Sequence, residues 1–583
     1  MKNVFLKITE RVRALFRHIK EVIASFSRKE RVAFFIALWA FIISFALIIW
    51  NINESFMVEV PAYGGSFTEG IIGIPRFINP LIAVSDADRD LTLLAYSGLM
   101  RATASGTLIP DLALNYEISD DGLVYTFTIK DTAVFHDGTP VTADDVIFTI
   151  TKAEDSALKS PKRANWDGVA VEKMGDREIR FTLRQPYAPF LGNTTLGILP
   201  KHIWDNVSIE QFNFSQFNIE PVGSGPYRVK NITRDKSGIP VSYNLSSFKD
   251  FTLGRPYIND MTIKFYANEE ELTSALSNGD IESLNAISPQ TANELSEKGD
   301  KIIRSPLPRV FGVFFNQNQA PIFTDSAVRT ALDTAVDRAA IIETILYGYG
   351  TAIDGPIPPG SLGYTAPKEN MPSANAEQLQ KARGILEKNG WKLGKGGIYE
   401  KRVKKTTQRL SFSLSIPNVA ELKSVAEMVS GTWRALGADV EIKIFEAGDL
   451  NQNVIRPRKY DALLFGEIVG RDTDLFAFWH SSQRNDPGLN IALYASSVAD
   501  KLLESARSIS DTDTRAAKYA KFQQEIKNDT PAIFLYSPDF VYILPERIRG
   551  VELNSVATPS ERFLNNNKWF IETNSVWKIF VRD

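Results

Sequence analysis

Residues 32–50 read VAFFIALWAFIISFALIIW, a run without a single charged side chain. An α-helix rises about 1.5 Å per residue, so this run just spans a hydrocarbon core of about 30 Å. Residues 1–31 carry nine Lys or Arg and three Glu, and an excess of positive charge stays on the cytoplasmic side of a membrane. The sequence therefore predicts a transmembrane signal anchor over 32–50, with a basic cytoplasmic segment over 1–31 and all later residues outside.

Two other interpretations of this run are open. A cleaved signal peptide has a shorter apolar core and small residues at the cut, whereas residues 50–53 read WNIN and offer no such site. A buried core helix is the second alternative. We expect an uncleaved, single-pass anchor. Apolar residues at helical spacing within 1–31 predict a basic helix that lies on anionic headgroups, or one that packs on a partner protein.

Length and composition limit the number of domains and the kinds of partner and chemistry possible for the residues that follow the anchor. The chain has 583 residues and a formal charge of −3, and residues 1–31 contribute nine positive and three negative charges, so the rest carries −9. An acidic body argues against nucleic acid as a partner. The length predicts two or three domains. With no Cys in the chain, disulfides, thiolate metal sites and cysteine nucleophiles are excluded.

The body reads as an α/β protein with a β-rich insertion. Tyr125–Ile129 and Ile179–Leu183 alternate apolar and polar residues, as half-buried strands do. Met261–Phe265, Asn268–Asn278 and Ile281–Leu284 predict a parallel β-α-β unit. Further predicted helices are 88–100, 143–153, two within 325–348, 376–388 and 421–436, and further strands are 310–316, 410–416, 440–445, 460–465 and 534–542.

No reaction centre is evident in the sequence. The four His show no paired metal-ligand spacing, and His136 lies in a string that reads as a turn. No G-x-S-x-G occurs, and Asp86, Asp88 and Asp90 lack the later residues of a calcium loop. We therefore expect no catalytic residue, no metal and no cofactor. An exported two-lobed α/β body favours a ligand held between lobes.

Seven strings point to one family. They are 77–81 (FINPL), 116–127 (YEISDDGLVYTF), 135–146 (FHDGTPVTADDV), 222–227 (VGSGPY), 315–316 (FN), 328–342 (VRTAL, then DR and II) and 460–466 (YDALLFG). Together they resemble the family 5 extracellular solute-binding proteins of ABC importers for dipeptides and oligopeptides, from about Gly64 to Pro545.

The resemblance implies a two-lobed periplasmic-binding-protein-like α/β fold with an extra β-rich subdomain. The apolar run predicts one N-terminal transmembrane helix before it. Lobe I is expected over 58–110, 217–309 and a C-terminal return, 538–583. Lobe Ib, the β-rich insertion, is expected over 111–216, and lobe II over 310–537. An extended ligand is expected in the cleft, with its main chain paired to strand edges.

The resemblance also implies site residues. In the family, the strand that matches 460–466 leads to an aspartate that holds the peptide's α-ammonium. That string reads Asp472-Thr473-Asp474 here, so the role passes to Asp472, with Asp474 the alternative acid. Asp472 serving only as a helix cap is also open. Arg471 beside it would neutralise the acid and favour a non-peptide or modified ligand.

Four more residues complete the expected substrate-binding set. Gly466 ends the motif strand, and Glu467 follows it where the family usually has Trp. Ser85, in the loop after the FINPL string, is expected to face this strand from lobe I. Trp166 is expected to cover the cleft from lobe Ib, or else to be ordinary core packing.

The main hypothesis is a membrane-anchored peptide-binding receptor that delivers short peptides to an ABC permease complex. It would be fixed to the cell membrane with its body extracellular or periplasmic, and it would bind without chemistry. One alternative is a peptide-sensing receptor without a transport role, which the long basic cytoplasmic segment fits slightly better. The others are a binder of a non-peptide solute and an enzyme on this scaffold, disfavoured because no nucleophile–base pair or metal set occurs.

Overall fold

The structure is a computed structural model that describes residues 13–14, 17–367 and 376–581. The chain divides into two compact units, a small one of residues 1–62 with 572–583 and a large one of residues 63–571. Residues 17–25 are helical. The first turns of the predicted basic helix, residues 1–12, lie outside the described residues.

In the small unit, the predicted anchor lies within the helix Arg28–Phe56, which has no buried residue. Ser27 begins it with a capping box, in which its side chain accepts from the Glu30 amide and the Glu30 carboxylate accepts from the Ser27 amide. Within the described part of the chain, this is the one helix long and apolar enough to cross a membrane. The strand Met57–Pro61 follows and pairs antiparallel with Thr573–Trp577 near the C-terminus.

A sheet of 12 strands organises the large unit. Ten of its strands lie side by side in the order 439–445, 411–417, 462–468, 309–315, 532–543, 283–285, 66–72, 260–266, 240–247 and 227–234. Ile302–Pro306 and Gly350–Ala352 add to it by pairing with the long strand Ala532–Ile543. The predicted β-α-β unit is present as Asp260–Tyr266, Glu269–Ser277 and Ser283–Asn285, and both of its strands run parallel to Ser66–Ile72, which lies between them.

The long strand Ala532–Ile543 belongs to both halves of this sheet. Residues 532–536 pair with Arg309–Phe315, and residues 539–543 pair with Ile302–Pro306. At the change of partner, the Leu307 amide donates to the Pro538 carbonyl over 3.0 Å, and the Ser537 hydroxyl donates to the Leu307 carbonyl over 2.8 Å. The chain therefore crosses between the halves twice, at 307–308 and 537–538. The lobe boundaries given above stay predictions.

The predicted β-rich block forms a separate sheet of four antiparallel strands, 113–118, 124–129, 178–182 and 170–175. Thr142 begins the helix Ala143–Glu154 with a capping box to Asp145. The His136 ring contacts the 222–227 segment through both of its nitrogens. Its Nε2 lies 3.0 Å from the Gly225 carbonyl oxygen, and its Nδ1 accepts from the Gly223 amide over 3.3 Å. Burial lowers its pKa to about 4, so it is a neutral structural histidine at pH 7.

Two smaller sheets and the remaining helices complete the large unit. The smaller sheets are 100–102 with 108–110, and 392–393 with 399–403 and 406–409. The longer helices are 86–95, 143–154, 269–277, 289–297, 326–335, 338–344, 376–388, 420–436, 497–508 and 512–529. Short helical turns at 163–165, 190–193, 476–479 and 559–563 carry residues of the site described below. The helix predicted over 88–100 begins two residues earlier, at Asp86, and ends at Ala95, because Met100 already belongs to a strand.

Candidate functional site

Two adjoining cavities lie in the large unit. The first has a volume of about 260 Å³ and is lined by the helix Asp86–Ala95 and by the turns that carry Trp166, Gly192 and Glu561. The second has a volume of about 180 Å³. The two share five lining residues, Leu93, Tyr96, Gly192, Thr195 and Glu561. They therefore form one space with two ends.

Asp472 lines the second cavity. Its carboxylate lies against Gly192, where an added Cβ would come within 2.3 Å of Oδ2. Among the described residues, no hydrogen bond to this carboxylate is found. Burial raises its pKa, while the charges of Arg515 and Arg471 lower it. The acid is thus partly desolvated and retains its full capacity to accept hydrogen bonds.

Asp474, the alternative acid, is already engaged. Its Oδ2 accepts from the Tyr187 hydroxyl over 3.2 Å and forms an ion pair with Arg507 Nε at 3.1 Å. Its Oδ1 accepts from the amide of Phe476 over 3.2 Å, at the start of a short helical turn. Asp474, and not Asp472, is therefore the acid that accepts from the first amide of this turn, and Asp474 does not line the two cavities.

Arg471 does not neutralise Asp472 by a direct pair. Its guanidinium forms an ion pair with Glu561, and the two side chains are 13% and 18% exposed. It also donates to the Ser555 carbonyl over 3.5 Å. Glu561 accepts in addition from the Ala557 amide over 2.7 Å. This pair joins the loop after the motif strand to the turn Pro559–Phe563, and it closes one side of the second cavity.

Two cations line the first cavity and not the second. They are Arg89, which also pairs with Asp86 at 3.3 Å, and Lys162. Desolvation in the cleft and the nearby charge of Arg89 lower the pKa of Lys162, while Glu561 raises it. The joined space therefore has Asp472 at one end, near Arg101 and Arg471 and with no hydrogen bond to its carboxylate from a described residue, and Arg89 and Lys162 at the other end.

Trp166 lines the first cavity and also packs in the core. It is 1% exposed, and its ring lies 5.9 Å from that of Phe181 and 6.0 Å from that of Phe190. Asn193 donates to the Asn165 carbonyl over 3.0 Å and so fixes the adjacent turn. The two alternatives for Trp166 are thus not exclusive, since one edge supports the wall and the rest fills the core.

Besides Asp474, three other predicted site residues, Ser85, Gly466 and Glu467, do not line either cavity. Ser85 is exposed and caps the helix Asp86–Ala95 by accepting from the Asp88 amide over 3.1 Å. Gly466 leaves room for the Phe311 ring, which an added Cβ would approach to 2.7 Å. Of the loop 83–85, it is Ala83 that reaches the first cavity.

Glu467 points into the protein core. It is 3% exposed, and its carboxylate has no hydrogen-bond partner among the described residues. Leu463 and Phe465, on the same face of the strand, pack in the cluster that contains Trp479. Burial raises the pKa of Glu467 well above its usual value, and the Trp479 indole acts in the opposite direction without offsetting burial. Glu467 is thus a buried core carboxyl, whose proton burial helps to retain, and not a wall of the cavity.

A buried ion network holds two cavity walls together. Arg562 follows Glu561 in the turn Pro559–Phe563 and is fully buried. It donates to both oxygens of Asp90 over 2.9 and 2.6 Å and to Glu69 over 2.7 Å. Tyr542 donates to the other oxygen of Glu69 over 2.7 Å. Asp90 lies one residue from Arg89, so the network sets the spacing between Arg89 and Glu561.

Arg89, Lys162 and Glu561 were missed by sequence reasoning. Each lies in a stretch without a motif, and Glu561 is 90 residues from its partner Arg471. Only the three-dimensional arrangement brings them to one space. In the described residues, no group of three or more His, Cys, Asp or Glu is placed to hold a metal ion.

A mixed α/β body whose two halves share a twice-crossed sheet, with a charged cleft and a β-rich insertion, defines the periplasmic-binding-protein class. The model for bacterial extracellular solute-binding proteins, family 5, matches residues 107–487. The chain belongs to this family.

Relatives match over nearly the whole length. The oligopeptide-binding protein AppA of Bacillus subtilis is 32% identical over 521 residues, covering 88% of this chain and 92% of AppA. The structure of that protein in complex with a nonapeptide matches with a TM-score of 0.66 and 30% identity, over 88% of this chain and 100% of the other. NikZ from Campylobacter jejuni, in complex with Ni(L-His), matches with a TM-score of 0.67 and 26% identity, over 87% of this chain and 99% of NikZ.

Proposed function

We propose that this chain captures short peptides outside the cytoplasmic membrane and delivers them to an ABC permease complex. Family membership supports a solute receptor that binds and releases its ligand without changing it. The peptide assignment is supported by AppA, which by name binds oligopeptides and matches over most of both chains.

The separated charges of the joined cavities carry the proposal. A peptide has an ammonium at one end and a carboxylate at the other, and a desolvated charge needs an opposite charge at hydrogen-bond distance. Asp472 supplies the acid at the second cavity, and Arg89 and Lys162 supply cations at the first. A peptide bound with its ammonium at Asp472 satisfies all three groups.

Cavity size favours a short ligand. The joined space, with ends of about 260 and 180 Å³, falls in the lower part of the roughly 300–1,000 Å³ range of common small-molecule sites. The contacts of Arg471 with Glu561 and of Asp474 with Tyr187 join predicted lobe II to lobes I and Ib. We therefore assign this arrangement to the closed form, in which a peptide of two or three residues fits and a longer one requires opening.

Mass spectrometry of the ligand that co-purifies with the protein tests the assignment. We expect short peptides with free termini from the wild-type protein, and weaker retention of the same peptides by Asp472→Asn. A co-purifying solute that is not a peptide would contradict the proposal. The complex of NikZ with Ni(L-His) makes an amino-acid chelate the specific alternative to look for.

We also propose that the helix Arg28–Phe56 is a permanent anchor. Its mean hydropathy is 2.8 over the apolar window, and its basic N-terminal flank favours a cytoplasmic N-terminus. The body is then extracellular or periplasmic, as in the family. Retention of the full-length chain in carbonate-washed membranes is expected, whereas release of a shortened body would contradict the anchor.

A further inference from the structure

The C-terminal segment returns to the end of the apolar helix. The strand Thr573–Trp577 runs antiparallel to Met57–Pro61, with Thr573 opposite Pro61 and Trp577 opposite Met57. Met57 directly follows the last helical residue, Phe56. Because the strands are antiparallel and Trp577 lies opposite Met57, the chain beyond Trp577 continues toward the helix Arg28–Phe56.

Side-chain contacts fix this segment to the last turn of the helix. The Trp577 indole Nε1 donates to the Asn53 side-chain oxygen over 2.9 Å. The Trp577 ring also stacks on that of Phe56, with centroids 6.4 Å apart and an interplanar angle of 30°. A helical turn, Lys578–Phe580, follows immediately.

The position of Asn53 sets the depth of this contact in a membrane. Asn53 lies three residues beyond Trp50, the last residue of the uncharged run, which places it about 4.5 Å farther along the helix axis. Headgroup layers on both sides add about 10–15 Å to a hydrocarbon core of about 30 Å. Asn53 and the indole bound to it therefore lie at headgroup level, where Trp is enriched in membrane proteins.

Two large apolar side chains shortly after Trp577, those of Ile579 and Phe580, are exposed. Ile579 is 76% exposed and Phe580 is 73% exposed, beside Phe56 at 54%. Lys578 precedes them, and a Lys side chain extends its ammonium toward water while its stem lies on apolar surface. An aromatic belt residue, a cation and two large apolar side chains are the composition of a segment that rests in the membrane interface.

We propose that residues 577–580 are a second membrane attachment, inserted into the headgroup–acyl boundary at the outer end of the helix. The occupant of this surface is lipid, because the segment is bound to a helix that itself stands in lipid. The small unit then contacts the membrane at two places, the helix and the C-terminal segment. The inference rests on the anchor proposed above.

Site-directed spin labelling tests this inference in the full chain, since the protein has no Cys to remove. Ile579→Cys is labelled in nanodiscs of phosphatidylethanolamine and phosphatidylglycerol, and its accessibility to oxygen and to a water-soluble nickel chelate is measured. Leu47→Cys, inside the apolar run, and Val498→Cys, 52% exposed on the helix Ser497–Ser508, give the lipid and water references.

We expect the ratio of oxygen to nickel accessibility at position 579 to exceed that at 498 severalfold and to fall below that at 47. If the accessibility ratio at position 579 equals that at position 498 while the ratio at position 47 is typical of lipid, this inference is overturned and the anchor stands. A water-like value at 47 would overturn the anchor and this inference together. Protection of 579 only after a permease is added would identify a protein partner and overturn the lipid assignment.

Discussion

Replacing Asp472 with Asn tests the ligand site most directly. The substitution keeps the shape of the side chain and removes its charge. Hydrogen bonds to charged groups contribute about 1.5–3 kcal/mol, and about 1.4 kcal/mol is tenfold in affinity. Arg515 and Arg471 partly offset the charge of Asp472. We therefore expect a loss near the lower end, about tenfold, in peptide affinity.

We expect Asp472→Asn not to lower the stability of the folded protein. The Asp472 carboxylate accepts no hydrogen bond from a described residue, and burial raises its pKa. A raised pKa means that the ionised form opposes folding at neutral pH. Asp472→Asn is therefore expected to melt at the same temperature as the wild-type protein or slightly above it.

Calorimetry with two forms of one co-purified peptide makes the assay specific. N-acetylation removes the ammonium, so the wild-type protein should lose about tenfold in affinity for the acetylated peptide. Asp472→Asn should bind both forms nearly equally, because the charge pair is already absent. Equal sensitivity to acetylation in both proteins would refute the assignment of the amine to Asp472.

Asp474→Asn is the matched control. It removes the pair with Arg507, whose side chain is 31% exposed while that of Asp474 is 21% exposed. We expect a lower melting temperature from this variant and the same tenfold sensitivity to acetylation as in the wild-type protein. The opposite pattern, with acetylation sensitivity lost only in Asp474→Asn, would move the role to Asp474.

Three further predictions concern the frame around the site. Arg562→Met leaves Glu69 and Asp90 buried without their cation, so denaturant unfolding should show a loss of about 3–5 kcal/mol. Glu467→Gln removes a carboxyl whose pKa is raised well above 4.5 by burial. Because the folded state holds this proton more tightly than the unfolded state, the free energy of unfolding of the wild-type protein should fall relative to that of the variant as pH rises from 4.5 through the folded pKa. Arg471→Met breaks the contact across the second cavity, so small-angle scattering should show a larger radius of gyration for the ligand-free protein.

Each of these predictions has a result that contradicts it. Unchanged stability of Arg562→Met would mean that the buried carboxylates find other partners. A constant stability difference between wild type and Glu467→Gln across pH 4–9 would mean that Glu467 is not buried in the folded protein. An unchanged radius for Arg471→Met, with Lys501→Met as an exposed control, would show that the pair does not hold the halves together.

The bounds of helices and strands could be predicted where the local sequence pattern alone determines them. The helix Ala143–Glu154 has its capping residues and its apolar face in its own sequence, and its predicted bounds are right to within one residue at its end. Ser283–Asn285 starts two residues later than predicted, because its strand bounds are set by pairing with Ser66–Ile72, which is more than 200 residues distant.

The site was less predictable, for geometric reasons. Asp472 and Asp474 are two residues apart in one loop, and only the position of Tyr187 and Arg507 shows which acid is already engaged. Glu467 reads as a site residue because it follows a motif glycine. Strand alternation, however, places it on the face of Leu463, toward the core.

The double crossing at 307–308 and 537–538 has a consequence for recombination between relatives. Exchanging the half between these points requires two junctions, and two hydrogen bonds link them, from the Leu307 amide to the Pro538 carbonyl and from the Ser537 hydroxyl to the Leu307 carbonyl. In a hybrid protein joined at a single point, residues 532–536 would come from one parent and their pairing partner Arg309–Phe315 from the other. A functional exchange between relatives is therefore expected to require moving this half as one segment with two junctions.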